Sequence, residues 1–475
     1  MDKAAMGRVR ARVKDALSRA GLLDGYRRAT SLGASVRFDR AFGELYRQID
    51  ALEETGERSA VVFTGLITVP AKPTLYPFLT RLTEAAPDLR IVVLDESRRA
   101  APADAPVERL VLPRALDYGM WDANSFMKRT AEDDALAQRY DLIEPTVDHL
   151  LVRQMDVGRS GMRRLVCAYA GAYERLFRRV QPKAVVIWCQ FTKLHPLCAQ
   201  IARAHGVKVL FMEFGSLPGT FAMEDQGQMG ESRIATEWES FLARPVTEEE
   251  TARAAELLDF LRQSGLNRNR QTDLTALGEM ESKIDPDRPL IVFAGQNDFD
   301  SGIMPWDEHA KTYHSPLFRS SREAAEYLWQ IAREEGWNFA YKPHPFMVDH
   351  EPAGALPMIT RCNFNAMMDR ADVVVTGVSQ SGYVACIRRR PCVTVGYNQL
   401  RGKGCTYEAA DRESLRETLR TALREGCTEK QQAAFRTHAA QLLKYALFDD
   451  LGERPLRYGR TPEDCAAWLL KEMDV

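Results

Sequence analysis

Short apolar runs rich in Val, Ile and Phe alternate with stretches of helical periodicity along most of this chain, and this alternation most constrains its fold. Four runs in the first half have the composition of buried strands: Ala60–Thr64, Arg90–Leu94, Ala184–Trp188 and Val207–Met212. Leu194–His205 has helical periodicity and is followed by Gly206, a residue type that commonly ends helices. Strands separated by helices predict βαβ units and a parallel sheet.

The same pattern starts again after a polar, charged stretch from Thr247 to Asp287, which we interpret as a linker. The second set of predicted elements comprises strands Pro289–Phe293, Trp337–Tyr341, Asp372–Thr376 and Cys392–Val395 and helices Arg322–Glu335 and Ser414–Leu423. Pro462–Met473 is helical by its pattern and is free to cross back to the first half. The pattern supports two α/β domains with extra helices, so the predicted class is α/β. Two Rossmann-like domains facing a central cleft have this arrangement, which periodicity alone does not single out. The boundaries are 1–246, 247–287 (linker), 288–445 and 446–475.

Composition excludes several other classes. The chain has 475 residues, is 27% charged and carries a formal net charge of −2, which gives no indication of a nucleic-acid partner. Its nine cysteines form no CxxC pair, so they indicate reduced thiols and no zinc site. No apolar run reaches the roughly 18 residues of a membrane span, and the first residues have no secretory signal. We therefore expect a cytoplasmic protein.

The N-terminus has a distinct character. Met6, Val9, Val13 and Leu17 recur at helical spacing among basic residues. A basic amphipathic helix can lie on an anionic membrane surface, here the inner membrane. The alternative is an ordinary surface helix docked on the domain.

Polar residues follow the first predicted strand of the second half. Phe293 leads into a turn that presents Gln296, Asn297, Asp298 and Asp300 after Gly295. Asp and Asn are common turn formers, which accounts for one aspartate better than for the whole cluster. A carboxylate at the carboxyl end of a strand can act as a base or nucleophile.

Two further turns follow the next strands. His344 lies between two prolines, which restrict the backbone on both sides, and Lys342 precedes it. Thr376–Tyr383 is a Ser/Gly-rich turn in which Ser379 and Ser381 can bind an anion or simply cap a helix. Because the carboxyl ends of strands in open α/β sheets bind ligands, three such turns in one domain favour a nucleotide-binding face.

A fourth polar position lies in the first half. Glu213 ends the predicted strand Val207–Met212 and is followed by a Pro-Gly turn. It can face the cleft, or it can pair with an arginine and stabilise the domain.

At these positions the chain resembles the bacterial capsule-polysaccharide Kdo transferases. Leu210–Gly219 and Ala222–Ser232 are similar to their E-x-G-x-x-P and E-x-x-G-x-N-x-x-S stretch, and Lys342–Pro345 to their His-Pro motif. The turn from Gly295 to Ile303 resembles their G-Q-x-x-D-D-x-S-I motif, and Ser379–Ala385 with Arg390–Gly396 resembles their S-x-x-G-x-x-A…G-K-P-V-V-T-x-G run. The chain departs from the family pattern at Gln190, Thr192, Met229, Ser301-Gly302 and Tyr397–Leu400.

The resemblance implies a GT-B glycosyltransferase that uses a CMP-activated donor, CMP-Kdo, without a metal or other cofactor. It implies that 288–445 binds the nucleotide sugar and that 1–246 binds a lipid-linked or oligosaccharide acceptor, with capsule assembly proteins as further partners. Asp300 would be the nucleophile, or the general base if the reaction inverts, with Asp298 as the substitute. His344 would act on the leaving phosphate and Glu213 on the acceptor hydroxyl. The donor would be held by Ser379, Gln380, Ser381, Gly382, Lys342, Gly295 and Gln296.

Two other functions are open at this point. Teichoic-acid-type polymerases that use CDP-glycerol, or another nucleotide donor, also carry a Pro-His-Pro and a Ser-rich turn. A non-catalytic subunit that binds polysaccharide in a capsule assembly complex is the third possibility.

Overall fold

Two β-sheets, a mostly parallel one and a fully parallel one, organise the chain, and each is covered by helices on both faces. The computed structural model describes residues 16, 20–54, 59–66, 75–95, 106–113, 130–153, 158–191, 194–267, 278–348, 354 and 356–473. The basic N-terminal stretch containing Met6, Val9, Val13 and Leu17 lies outside these residues. Among the helices that are described, none is long and apolar enough to cross a membrane.

The first sheet has seven strands in the order β12-β6-β5-β4-β1-β2-β3. The strands β1 to β5 run parallel, and β6 and β12 add antiparallel pairs at one edge. Their bounds are Ser59–Leu66 (β1), Leu89–Asp95 (β2), Glu108–Val111 (β3), Ala184–Trp188 (β4), Lys208–Phe214 (β5), Thr220–Glu224 (β6) and Leu447–Asp449 (β12).

The second sheet has five parallel strands in the order β11-β10-β9-β7-β8. Their bounds are Leu290–Ala294 (β7), Asn338–Lys342 (β8), Val373–Thr376 (β9), Cys392–Thr394 (β10) and Tyr407–Glu408 (β11). Together the two sheets confirm the predicted α/β class with two Rossmann-like halves facing a cleft.

Sixteen α-helices lie in the described part of the chain. Those before the second sheet are Leu23–Asp50 (α1), Leu75–Ala85 (α2), Ala131–Arg139 (α3), Ile143–Arg153 (α4), Arg159–Val180 (α5), His195–Ala204 (α6), Arg233–Thr236 (α7), Trp238–Leu242 (α8) and Glu248–Ser264 (α9). The others are Glu308–Tyr313 (α10), Ser321–Glu335 (α11), Phe364–Arg370 (α12), Ser381–Ile387 (α13), Arg412–Glu425 (α14), Glu429–Tyr445 (α15) and Pro462–Glu472 (α16). Met229–Glu231 and Gly278–Lys283 form 3₁₀ turns.

Strand residues alternate between two cores in each half because both sheet faces are buried. In β1, Val62 packs in the core formed with α5, whereas Val61 and Phe63 pack in the core formed with α2. In β7, Val292 and Phe293 likewise belong to different cores. Continuous apolar runs are typical of parallel strands buried in this way, which is why these strands are visible in the sequence.

The segment Thr247–Asp287, which we interpreted as a linker, starts with a packed helix. Thr247 and Glu250 form a capping box at the start of α9, and Leu257 and Leu261 on this helix are buried in the core that also contains residues of α15. The many charged residues of α9 lie on its outer side and hid this periodicity. Residues 268–277 lie outside the described part, and the four domain boundaries stay predictions.

The last strand and helix belong to the first half. β12 pairs antiparallel with β6, and α16 packs against α2. The chain therefore leaves the second half at Tyr445 and completes the first sheet. This crossing brings Tyr445 and Trp468 to the edge of the cleft, where the candidate site lies.

Candidate active site

A cavity of about 440 Å³ lies between the β5–β6 hairpin and the turn that follows β9. The hairpin contributes Glu213 and Glu224, and the turn contributes Ser379 and Gln380. Aromatic side chains make up much of the remaining wall: Phe211, Phe214, Phe241, Tyr383, Tyr445 and Trp468. Acidic groups, hydroxyl groups and aromatic rings in one cleft are suited to a polar ligand with apolar faces, such as a sugar.

The register of the hairpin places both glutamates on one face. Phe211 pairs with Glu224 and Glu213 pairs with Ala222, so the two glutamates are diagonal neighbours. Diagonal positions of this kind are about 7–8 Å apart across an antiparallel pair. The turn between the strands requires Gly219, whose φ is +85°. Glu213 and Glu224 therefore form a pair of carboxyl groups beside the cavity.

Glu224 is held in an environment that favours its protonated form. Burial raises its pKa to about 8, although the backbone N–H of Arg233 donates to its Oε1 at 2.6 Å and opposes that shift. The nearby charge of Asp225 adds to the increase in the pKa. The Oε2 atom is buried and has no hydrogen-bond partner among the described residues. Near neutral pH, Glu224 is therefore a protonated carboxylic acid that can donate a hydrogen bond.

The basic side chains of the cavity are engaged elsewhere. Arg233 forms ion pairs with Asp225 at 2.9 Å and with Glu237 at 2.8 Å. Arg244 lies over the rings of Phe241 and Tyr445, each at 5.3 Å from the ring centroid. The hydrogen-bonding groups of the hairpin wall are therefore mainly acidic, which suits hydroxyl groups better than phosphate.

The Ser379–Gly382 turn lies across from the hairpin. The Nε2 of Gln380 donates to the carbonyl oxygen of Phe214 at 3.4 Å and thereby links the turn to β5. The Oγ of Ser379 accepts from the N–H of Ser381 at 3.2 Å, whereas the Oγ of Ser381 is buried against Thr376 Oγ1 at 2.8 Å. A Cβ at Gly382 would lie 3.0 Å from Leu400. Of these four predicted donor-binding residues, Ser379 and Gln380 line the cavity.

The turn after β7 contains a buried polar network. Asp298 is 2% exposed and accepts hydrogen bonds from the N–H of Ser321 at 2.8 Å, from its Oγ–H at 2.5 Å and from Gln296 Nε2 at 3.1 Å. These bonds anchor the start of α11 to the turn. Gly295 donates its N–H to the carbonyl oxygen of Lys342. The structure thus places Asp298, Gln296 and Gly295 in positions that shape the turn.

Asp300 lies at the junction between the halves. Asn297 Nδ2 donates to Asp300 Oδ2 at 2.6 Å, and the thiol of Cys189, next to the end of β4, lies 3.5 Å from the carbonyl oxygen of Asp300. The side chain of Asp300 is partly exposed, in contrast to that of Asp298. Asp300 is consequently the more accessible of the two aspartates.

Lys342 is the last residue of the edge strand β8, and His344 lies in the turn that follows it. The Nζ of Lys342 lies 3.4 Å from the carbonyl oxygen of Thr360, and the Nδ1 of His344 accepts from the N–H of Phe346 at 3.3 Å. The strand order β9-β7-β8 places the turn of Asp300 between the turns of Ser379 and His344. Neighbouring strands in a sheet lie about 5 Å apart. Asp300, Lys342 and His344 all lie at the carboxyl ends of these strands, but they do not line the cavity that contains Glu213.

Two features escaped the sequence analysis. Glu224 lies in the Ala222–Ser232 segment, but the sequence analysis did not assign it a role. The register of an antiparallel hairpin with its turn at Pro218-Gly219 would have placed Glu224 beside Glu213. Among the described residues, one group that can hold a metal ion was also missed: Glu231, His309 and His314. The two histidines follow the Asp300 turn without a recognisable metal-binding spacing.

A departure noted in the sequence acquires a structural meaning here. Met229, where the family pattern has Asn, has a φ of +53° and lines the cavity. Asn adopts this left-handed region more readily than Met does. Met229 therefore occupies a left-handed conformation that is uncommon for its residue type.

No protein-family model and no curated protein matches this chain. Solved structures that are similar to it include the beta Kdo 2,7 transferase of Thermosulfurimonas dismutans KpsC, with 19% identity over 64% of this chain and 89% of that one and a TM-score of 0.39. The beta Kdo 2,4 transferase of the same organism's KpsC has 16% identity over 54% and 79% and a TM-score of 0.39. The glycosyltransferase SnogD from Streptomyces nogalater has 13% identity over 87% and 99% and a TM-score of 0.32.

Proposed function

We propose that this chain is a glycosyltransferase that moves a sugar from a nucleotide-activated donor to a hydroxyl group of an acceptor bound between the two halves. The observation that carries the proposal is the cavity in which Glu213 and Glu224 of one half face Ser379 and Gln380 of the other. Paired carboxyl groups serve proton transfer, and the carboxyl ends of parallel strands serve nucleotide binding.

The acceptor would bind against the hairpin. Glu213 would accept the proton of the attacking hydroxyl, and the protonated Glu224 would donate a hydrogen bond to a neighbouring oxygen of the acceptor. The aromatic rings around them, including Trp468 and Tyr445, offer apolar surfaces to the faces of a sugar ring. Both arginines among the described residues of this wall are engaged by other groups, which favours a neutral part of the acceptor here.

The donor would bind along the edge of the second sheet. Asp300 lies in the middle turn, and its carboxylate would attack the anomeric carbon while the nucleotide leaves with its phosphate. Lys342 and His344, one strand away, would neutralise or protonate that phosphate, and Ser379 would bind the donor from the other side. The acceptor oxygen would then displace Asp300, its proton passing to Glu213, with net retention. Were the outcome inversion, Asp300 would be the general base.

For the finer assignment we propose CMP-Kdo as the donor and a lipid-linked or oligosaccharide acceptor of capsule synthesis, at the inner membrane surface. The support is the run of motifs shared with the capsule Kdo transferases. The proposed chemistry requires no metal, since the leaving phosphate is neutralised by Lys342 and His344.

A donor panel tests the proposal. Purified protein is incubated with CMP-Kdo, CDP-glycerol and UDP-sugars plus a glycan acceptor, and the group added to the acceptor is identified by mass. Product mass is essential because CDP-glycerol also releases CMP when glycerol phosphate is transferred. We expect transfer of Kdo from CMP-Kdo, with the rate reduced at least about 100-fold in Asp300→Ala and His344→Ala. Near-native turnover in either variant would refute its assignment, and transfer of glycerol phosphate would establish the polymerase alternative.

A binding experiment tests the remaining alternative, which is a non-catalytic subunit. If calorimetry detects no binding of any nucleotide or nucleotide sugar, a non-catalytic polysaccharide-binding subunit becomes the better account.

A further inference from the structure

Three metal-ligating side chains converge near the Asp300 turn, outside the residues used in the proposed reaction. His309 Nε2 and His314 Nε2 lie 2.8 Å and 2.9 Å from the same oxygen, Oε1 of Glu231. The three ligand atoms all lie within 4.8 Å of one another. Two imidazole nitrogens and one carboxylate oxygen that point at one small volume make a donor set typical of zinc sites.

We propose that Glu231, His309 and His314 bind a divalent transition-metal ion of the Zn²⁺ class. Bond lengths of about 2.0–2.1 Å around a tetrahedral ion separate neighbouring ligand atoms by about 3.3 Å. The observed nitrogen–oxygen distances are only slightly shorter, so a small movement of the Glu231 carboxylate away from the two imidazoles makes room for the ion. Imidazole together with carboxylate suits Zn²⁺ better than Mg²⁺ or Ca²⁺, which prefer oxygen ligands.

The surrounding structure holds two of the ligands in place. His314 is fully buried and packs edge-on against the ring of Phe191 at 4.8 Å. Gly302, with a φ of +74°, allows this ring to approach, since a Cβ there would lie 2.7 Å from His314 Nε2. A Cβ at Gly230 would lie 1.7 Å from the carbonyl oxygen of Tyr313, so the backbones that carry Glu231 and His314 are in direct contact.

The third ligand opens the site to solvent. The side chain of His309 is 56% exposed, so an ion can enter from that side and keep a water molecule as its fourth ligand. A bound ion would connect Glu231, in the segment after β6, with the histidines of α10 and its C-terminal end. Helix α10 follows the Asp300 turn in the chain. The site would thus stabilise one wall of the cleft and take no part in the proposed transfer.

The surroundings of His314 Nδ1 indicate how tightly the site would bind the ion. Ligation through Nε2 places the remaining ring proton of His314 on Nδ1, which is buried and has no hydrogen-bond partner among the described residues. Metal-bound histidines usually donate that proton to a partner, and loss of such a partner weakens binding about 10- to 100-fold. We therefore expect reversible binding that is weaker than that of a site in which every ligating histidine donates its ring proton to a partner.

Calorimetry with Zn²⁺ on the full-length protein, previously treated with a chelator and dialysed, tests the proposal. We expect one ion per chain in the native protein and at least about tenfold weaker binding in His309→Asn and Glu231→Gln. His309→Asn changes a half-exposed side chain and spares the buried His314, so folding is preserved. His205→Asn, in the first half, is the matched control and should bind Zn²⁺ like the native protein.

The nine free cysteines are a second potential site for Zn²⁺, so the variants decide the outcome and the stoichiometry alone does not. Thermal unfolding gives an independent readout, because an ion that binds only the folded state raises the melting temperature. Zn²⁺ should raise it in the native protein and in His205→Asn, and should raise it less in His309→Asn. If the native protein takes up no Zn²⁺, or if His309→Asn and Glu231→Gln bind it unchanged, the cluster is only a hydrogen-bonded contact and the proposal fails.

Discussion

At the scale of single residues, the environment of Glu224 gives it properties that its residue type does not predict. Its carboxyl group lies on the same face of the β5–β6 hairpin as Glu213. Burial raises the pKa of Glu224 to about 8 from its ordinary value of 4.5. A cleft residue with a pKa perturbed in this way is a candidate for function, and the shift also has a consequence for stability.

The stability of the protein should depend on pH through Glu224. Because its pKa is raised on folding, the folded chain keeps this proton at pH values where the unfolded chain has lost it. The stability associated with the proton is therefore complete below about pH 4.5 and is lost as the pH rises through about 8. Glu224→Gln mimics the protonated group, so its stability relative to the native protein should increase between pH 5 and pH 8 by on the order of 1–4 kcal/mol.

Urea unfolding of both proteins at pH 5, 7 and 9 measures this difference. Glu239→Gln, which changes an exposed glutamate on α8, is the control and should show no such trend. A stability difference between Glu224→Gln and the native protein that stays constant with pH would show that the pKa of Glu224 is not raised.

At the scale of elements, two neighbouring aspartates in the turn after β7 have different roles. Asp298 accepts three hydrogen bonds that fix the start of α11, whereas Asp300 is more exposed and lies beside Cys189 at the junction of the halves. The sequence places both aspartates after one strand and does not distinguish them. Their roles differ because α11 returns to the turn through Ser321.

Alanine substitutions should separate the two roles. Asp298→Ala leaves the buried donors of Ser321 and Gln296 without their acceptor, so we expect a loss of about 2–4 kcal/mol in the free energy of unfolding. Asp300→Ala should change that free energy by less than about 1 kcal/mol and should abolish transfer. Urea unfolding and the transfer assay on both variants provide the measurements. Equal destabilisation of the two would contradict the distinction between them.

The sequence predicts the strands of both sheet centres because buried parallel strands are continuous apolar runs. It does not predict β6 or β12, which are short and whose pairing joins residues more than two hundred positions apart, such as Phe221 and Phe448. The sequence also does not show that the hydroxyl of Ser381 is hydrogen-bonded to Thr376, or that Ser379 lines the cavity. Local propensity is readable from a sequence, whereas the partner that each polar group finds in the fold is not.

At the scale of the whole molecule, β12 ties the two halves together. Leu447 packs in a core that includes second-half residues, and its neighbour Phe448 packs in the core between the first sheet, α2 and α16. Adjacent residues of one strand thus enter two different cores, because strand side chains alternate between faces. The cavity depends on this crossing, since Tyr445 and Trp468 form part of its wall.

Phe448→Ala should loosen this connection. Removal of a fully buried phenylalanine typically costs about 3–5 kcal/mol of stability. Hydrogen exchange should become faster in Thr220–Glu224 and in Pro462–Glu472, which pack around Phe448, and should change little in the second sheet. Phe346→Ala, at a site that is 75% exposed, is the control and should leave exchange in these segments unchanged. Equal acceleration in both halves would show that the halves unfold as one unit.

We propose that the cleft between the halves transfers a sugar to a hydroxyl acceptor. The decisive measurement compares steady-state nucleotide release from a sugar nucleotide over many turnovers, with and without a glycan acceptor, in the native protein, in Glu213→Gln and in the control Glu239→Gln. We expect acceptor-dependent release in the native protein and in Glu239→Gln, and a rate at least about 100-fold lower in Glu213→Gln. Acceptor-dependent release at the native rate in Glu213→Gln, or no release from any sugar nucleotide by the folded native protein, would contradict this account.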